Sequence, residues 1–160
     1  MDELNIRHYM RMAYGEAAHH SNDTKTQNGA VLVSRIGKTS FGANHIPVDG
    51  IEQTPENKAL WMIHAEHAAI ADAGRFGIST EGATLVCPWS ACTGCAKQII
   101  AAGVSLVIRH APMMRRTYGN YSENIAKADE MLRRYGVRII DFDEPIGGVT
   151  NLMNGERWEP

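Results

Sequence analysis

The chain has 160 residues, 16 basic against 18 acidic, and a formal net charge of -2 at pH 7. That length suits one domain, and a hydrophobic content of 44% is enough for a core without disulfide staples. The near-neutral balance offers no general electrostatic reason to bind a nucleic-acid duplex or an acidic membrane. No stretch approaches the roughly 20 apolar residues of a membrane span, and the opening MDELNIRHYM lacks the apolar run of a signal peptide. These features lead to the expectation of a soluble, cytoplasmic protein.

Ile6, Tyr9, Met10, Ala13 and Ala17 recur at helical spacing and predict a helix over residues 5–20. The polar stretch SNDTKTQNG ends it. AVLVS at 30–34 reads as a buried strand, and Arg35-Ile36-Gly37 turns the chain into a second strand ending near Gly42. Residues 44–58, with Pro47, Gly50 and Pro55, read as one long loop, a length that usually signals function. A helix over 64–73 is expected to stop at Gly74, and ATLVC at 83–87 forms the next strand. A further helix spans 92–102 up to Gly103, followed by a strand at 105–108. Ser122 is the expected N-cap of a last helix with Ile125, Ala128, Leu132 and Tyr135 on one face, ended by Gly136. Residues 138–140 give a fifth strand, and a Gly-rich tail runs on to Trp158.

Alternating strands and helices in the C-terminal half imply right-handed crossovers between parallel neighbours. The economical architecture is α/β, one mixed sheet with helices on both faces. Residues 1–145 form a single domain, and 146–160 a flexible tail of unknown role.

Cys87, Cys92 and Cys95 are the only cysteines, and all fall within nine positions. An odd, clustered set argues against a disulfide framework and for metal or redox chemistry in a reducing compartment. His64, Cys92 and Cys95 supply one imidazole and two thiolates, three ligands for a zinc ion with a fourth position left for water. All three sit in first helical turns, where the dipole favours thiolate. Glu66, two residues beyond His64, suits a proton shuttle that takes a proton from water and returns it to a ring nitrogen and a leaving amine. Two competing readings are a closed structural zinc knot, with Cys87 or His67 as fourth ligand, and a thioredoxin-like dithiol. Neither has a use for Glu66.

His-x-Glu followed by Pro-Cys-x-x-Cys is the signature of zinc deaminases. Residues 54–108, TPENKALWMIHAEHAAIADAGRFGISTEGATLVCPWSACTGCAKQIIAAGVSLVI, resemble the deoxycytidylate (dCMP) deaminase family, as do SNDTKTQNGAVLVS and FGANHIP upstream. The resemblance spans roughly residues 8–141 and leaves the C-terminal tail unmatched. It implies the cytidine deaminase-like three-layer fold around a five-stranded mixed sheet, a homo-oligomer, and hydrolytic deamination of dCMP to dUMP. By the same resemblance His64, Cys92 and Cys95 match the Zn²⁺ ligands and Glu66 the proton shuttle. Asn44 matches an asparagine that contacts the nucleotide sugar, and Ala65 a small residue whose backbone approaches the base. Three positions depart from the pattern: Ala91 stands for proline, His45 for glycine and Asn28 for an apolar residue. The family is often regulated by dCTP and dTTP, which makes these candidate allosteric ligands.

Asn28, near the base in this family, is a candidate contact to a polar ring substituent; bracing its own loop is the alternative. His110, at the end of a strand where α/β sheets hold ligands, is a candidate substrate contact. Arg115 and Arg116 are candidates for gripping a nucleotide phosphate. Trp89 reads as pocket wall, Tyr118 and Tyr121 as stacking or packing groups, and Cys87 and Met113 as buried filler. His19 and His20 suit the end of the first helix or, alternatively, a second metal site. Other substrates in the same chemistry are a base-modified cytosine nucleotide, a purine or an RNA base, the last disfavoured by the lack of a basic stripe. A non-catalytic, zinc-stabilised nucleotide-binding module is the rival of another class.

Overall fold

The computed structural model describes residues 2–117 and 120–160. Five strands form one mixed sheet in the order β2-β1-β3-β4-β5, with β1 spanning Gly29–Val33, β2 Thr39–Ala43, β3 Thr84–Val86, β4 Leu106–His110 and β5 Arg138–Phe142. β1 is antiparallel to both β2 and β3, whereas β3, β4 and β5 run parallel. The parallel pairs require helical crossovers, supplied by α4 (Thr93–Ala101) and α6 (Asn120–Arg134).

Strand alternation divides the core in two. Leu32, Leu85 and Val107 face α3 (Ala65–Arg75), α4 and α6, in a cluster with Ala69, Cys95, Ile99 and Leu132. Val86, Leu106 and Ile108 point the other way, with Met10 and Tyr14 of α1 (Glu3–His20). Two glycines set how closely the helices approach. A Cβ on Gly29 would lie 2.0 Å from Ala13 O, and one on Gly42 would lie 2.4 Å from Ala65 O. Ala65, Ala69 and Ala73 are fully buried on α3. Their small side chains let the α3 backbone rest directly on β2, which fixes where that helix begins.

The structure amends several sequence expectations. Residues 44–58 are not all loop: α2 (Pro55–Trp61) is capped by Thr54 with Pro at its start. Gly74 lies inside α3 rather than ending it. Ser122 lies inside α6, which is already helical at Asn120, so it is not the N-cap; Tyr135 is exposed rather than on the buried face. A short helix, α5 (Ala111–Met114), follows β4 directly.

The boundary expected at residue 145 is absent from the packing. Residues 151–158 form a hairpin, β6 (Asn151–Met153) against β7 (Glu156–Trp158), outside the main sheet. Ile146 and Met153 are each 1% exposed, in the core with Tyr14, Ile108 and Met113. Arg11 Nε and Nη2 donate to Ile146 O at 3.1 and 2.9 Å, and Arg7 donates to Pro145 O. The segment is a folded part of the α1 layer. Tyr118 lies outside the described residues. No helix among the described residues is long and apolar enough to cross a membrane.

His110 needs correction as a substrate contact. It shares strand parity with Leu106 and Ile108, so it points to the α1 side and is 0% exposed. Glu144 O lies 3.1 Å from Nε2. A carbonyl only accepts, so Nε2 carries the proton and Nδ1 accepts from the Tyr14 hydroxyl at 2.7 Å. The ring also stacks on Trp158 at 6.2 Å. Both nitrogens are engaged by the protein.

Burial lowers the His110 pKa, opposed by the bond to Glu144. Unfolding therefore lets this ring take up a proton, and its contribution to stability is lost as pH falls below about 6.5, the ordinary histidine value. His110→Gln keeps one acceptor and one donor without titrating. Thermal unfolding across pH should show a shallower acid decline for this variant than for the wild type; identical slopes would contradict the assignment.

Candidate active site

His64 and Cys92 are the N-cap residues of α3 and α4. Both caps have extended backbone, which aims their side chains back across the helix ends. The approach to His64 is fixed by a β-bridge: His45 N–H donates to Ile63 O at 3.0 Å, and Ile63 N–H donates to His45 O at 2.9 Å. His64 Nδ1 lies 3.2 Å from Cys95 Sγ and 3.5 Å from Cys92 Sγ, and the sulfurs are 3.5 Å apart. In a tetrahedral zinc site, bonds of about 2.3 Å to sulfur and about 2.0 Å to nitrogen place ligand atoms roughly 3.5 Å or slightly more apart. The trio therefore fits a zinc ion with little adjustment.

No other group of three or more potential metal ligands occurs among the described residues. His19 Nδ1 instead meets Gly15 O at 2.7 Å, and His20 pairs with Glu16. Cys87 is fully enclosed and receives a hydrogen bond from Asn28 Nδ2 at 3.3 Å. His67 stacks beside His64, and its Nε2 is buried with no hydrogen-bond partner among the described residues.

The thiols act as a coupled pair. The hydrogen bond between the two thiols lowers the Cys92 pKa to about 3, against burial and with help from His64. The same bond and burial push Cys95 up. The hydrogen bond to Cys92 raises the His64 pKa, opposed by burial. Binding a cation would displace the remaining thiol proton. Glu66 is 2% exposed, and burial raises its carboxyl, opposed chiefly by the His64 charge. A carboxyl held above its ordinary value beside the donor trio is suited to carrying a proton in either direction.

Ala65 is buried at the first turn of α3. Trp89, on the loop between β3 and α4, is part-buried; its indole N–H donates to Thr117 Oγ1 at 2.7 Å, and its ring lies 5.4 Å from that of Tyr121. Asn28 takes the bracing role. Its Oδ1 accepts from Trp89 N–H at 3.3 Å while its Nδ2 holds Cys87, so its amide links β1 to the loop carrying the metal-site cysteines.

Asn44, expected to reach a sugar, has every hydrogen-bonding position occupied by protein. Its Oδ1 accepts from Ser21 Oγ at 2.7 Å and Asn28 N–H at 2.8 Å. Its Nδ2 donates to Thr26 O at 2.8 Å and Asp23 Oδ2 at 3.3 Å. Asn44 organises the loop from Ser21 to Asn28 through these four side-chain bonds. Arg115 pairs with Asp143 at 2.7 Å on the surface. Arg116 lies over the Trp158 ring, 4.3 Å from its centre.

Two features escaped sequence reasoning. Lys58 of α2 reaches the buried Asp23 at 2.6 Å and holds that helix against the Asn44 loop. Arg109, in an otherwise apolar strand, is buried and donates to Ser90 Oγ at 2.8 Å and Asp129 Oδ1 at 2.7 Å, with Asp141 as a further partner. Burial works against its charge, but the bonds to Asp141 and Asp129 outweigh it. Arg109 thereby ties the loop before Cys92 to α6 and β5. A charge inside the run LVIRH was the available signal, since such a residue requires buried partners.

Fold and site together define a three-layer α/β protein with a His-Cys-Cys donor group beside a buried carboxyl. Residues 4–111 match the family model described as "Cytidine and deoxycytidylate deaminase zinc-binding region". The chain belongs to that family, which is zinc-binding, and His64, Cys92 and Cys95 are the group able to hold the ion. It is 34% identical over 97 residues to the deoxycytidylate deaminase of Enterobacteria phage T4, a match covering 61% of this chain and 43% of that protein. The chain thus matches less than half the length of this curated relative. The apo crystal structure of dCMP deaminase from cyanophage S-TIM5 superposes with a TM-score of 0.69 at 25% identity, covering 89% of this chain and all of that one. The same cyanophage enzyme in complex with dCMP and dUMP has the same fold, with a TM-score of 0.64 at 22% identity, covering 89% of this chain and 99% of that chain.

Metal analysis of the purified protein should find one zinc per chain. Cys95→Ala should lose both the metal and the folding stability it contributes; full zinc occupancy in that variant would refute the ligand set. Arg109→Leu removes the nearer of the two cations on Asp129, leaving only Arg133 at 3.4 Å, and should destabilise the fold by about 1.5–3 kcal/mol. A loss below about 1 kcal/mol in denaturant unfolding would mean that Arg109 behaves as a surface ion pair and does not anchor the loop.

Proposed function

We propose that the protein is a zinc-dependent hydrolase that deaminates a pyrimidine deoxynucleotide, converting dCMP and water to dUMP and ammonia. The observation that carries this reading is the buried Glu66 carboxyl beside a group of three donors, one fewer than the four ligands a tetrahedral zinc ion takes. A bound zinc ion would supply Lewis acidity, making water nucleophilic near neutral pH. Glu66 accepts the proton released by the attacking water, delivers it to the ring nitrogen next to the reacting carbon, and assists departure of the amine as ammonia. The Ala65 backbone and the Trp89 ring flank the base.

Family membership and the cyanophage enzyme's complex with dCMP and dUMP support a nucleotide substrate. The commitment of Asn28 to Cys87 and Trp89 favours plain cytosine over a base with a polar ring substituent. For the phosphate, Arg116 is better placed than Arg115, whose charge Asp143 already matches.

Glu66→Ala should retain the fold and the zinc while losing at least about 10²–10⁴-fold in ammonia release from dCMP. Near-normal turnover in that variant would require another proton carrier and overturn the mechanism. Deoxycytidine should be a poorer substrate than dCMP by about ten- to a hundredfold in kcat/KM, the worth of one charge-assisted phosphate contact. Equal efficiencies would remove the phosphate contact. A panel including adenine nucleotides checks the choice of base.

A further inference from the structure

The β6–β7 hairpin lies at the junction of two loops that border the candidate site. Its turn, Asn154-Gly155, has φ of 57° and 82°, the left-handed pair that Asn-Gly adopts in a tight hairpin. Asn154 N–H donates to Thr26 Oγ1 at 3.1 Å, and Gly155 N–H donates to Lys25 O at 2.8 Å. Asn154 Nδ2 reaches the other way and donates to Arg116 O at 3.0 Å. One residue therefore joins the segment before β1 to the segment after α5. Trp89 joins the same two segments from the metal side, through Asn28 and Thr117.

The hairpin holds Arg116 at two points. Asn154 fixes its carbonyl, and Trp158 of β7 carries its guanidinium at 4.3 Å. Stacking on an indole immobilises a guanidinium while leaving its N–H edge open to a planar or tetrahedral oxyanion. Arg116 forms no ion pair among the described residues, in contrast to Arg115 with Asp143.

We infer that the C-terminal hairpin positions Arg116 to grip the 5′-phosphate of the substrate, with Asn154 as the positioning residue. This rests on the nucleotide-deaminase reading above. Two substitutions isolate the contact. Asn154→Gly keeps the left-handed backbone and its N–H and removes the side chain with its Nδ2 donor; Asn154→Asp keeps the size but turns the donor into an acceptor. On the zinc-loaded full-length chain, both should raise KM for dCMP roughly three- to tenfold, leave kcat within about twofold, and leave deoxycytidine kinetics unchanged. A merely structural hairpin would affect nucleotide and nucleoside alike.

Calorimetric titration with dUMP and with deoxyuridine gives the same contrast without turnover. Weakened binding of dUMP alone supports the inference, even if the wild type releases no ammonia from dCMP; that result would overturn the proposed reaction instead. Equal losses on both ligands, or no change on either, in a protein that does deaminate dCMP, overturn the role of the hairpin.

Discussion

Three soft donor atoms within 3.5 Å of one another, at the starts of two helices, are the constraint on which the rest of the site depends. Bringing two thiols and an imidazole this close is unfavourable unless protons or a cation hold them together. A hydrogen bond between Cys92 and Cys95 lowers the one thiol and raises the other. The helices must also arrive at fixed positions. Gly42 and the alanine face of α3 let that helix rest on β2, and the β3-α4-β4 crossover delivers the cysteines to the same end of the sheet. Arg109 then ties the connecting loop to α6 and β5. Sheet geometry, small-residue packing and one buried cation all serve the placement of three atoms.

The two faces of the sheet divide the work. The α3–α4 face carries the donor trio and Glu66. The α1 face holds the Tyr14, His110 and Trp158 cluster, which closes the C-terminal segment onto the sheet. The faces communicate at the loop ends, where Trp89, Asn28 and Thr117 meet, with the Asn154 turn behind them.

Much of this was legible in the sequence because it rests on local patterns. Short apolar runs bounded by turn residues located all five strands of the main sheet, and the His64, Cys92 and Cys95 group was legible because metal chemistry restricts residue type and spacing. Less legible are features whose partners are distant in the chain or whose local signals are short. Thr54-Pro55-Glu56 is a helix-start signature that marked α2 within the supposed loop. Asn154-Gly155, between short runs able to pair, marked the hairpin within the supposed tail. His110 sits at a strand end where α/β sheets hold ligands, but its parity, shared with Ile108, turns it to the α1 side. Asn44 and Asn28 have residue types suited to ligands. Only the fold shows that their amides are already committed to Ser21, Asp23, Thr26, Cys87 and Trp89.

The central claim is that this chain builds an open, three-ligand zinc centre and not a closed structural one. Zinc K-edge X-ray absorption on the zinc-loaded protein tests it most directly. The account predicts a shell of two sulfurs at about 2.3 Å, one imidazole nitrogen at about 2.0 Å and one further light oxygen atom. A third sulfur, from Cys87, or a second imidazole, from His67, in place of that oxygen would contradict it, because the position that Glu66 serves would then be filled by the protein itself.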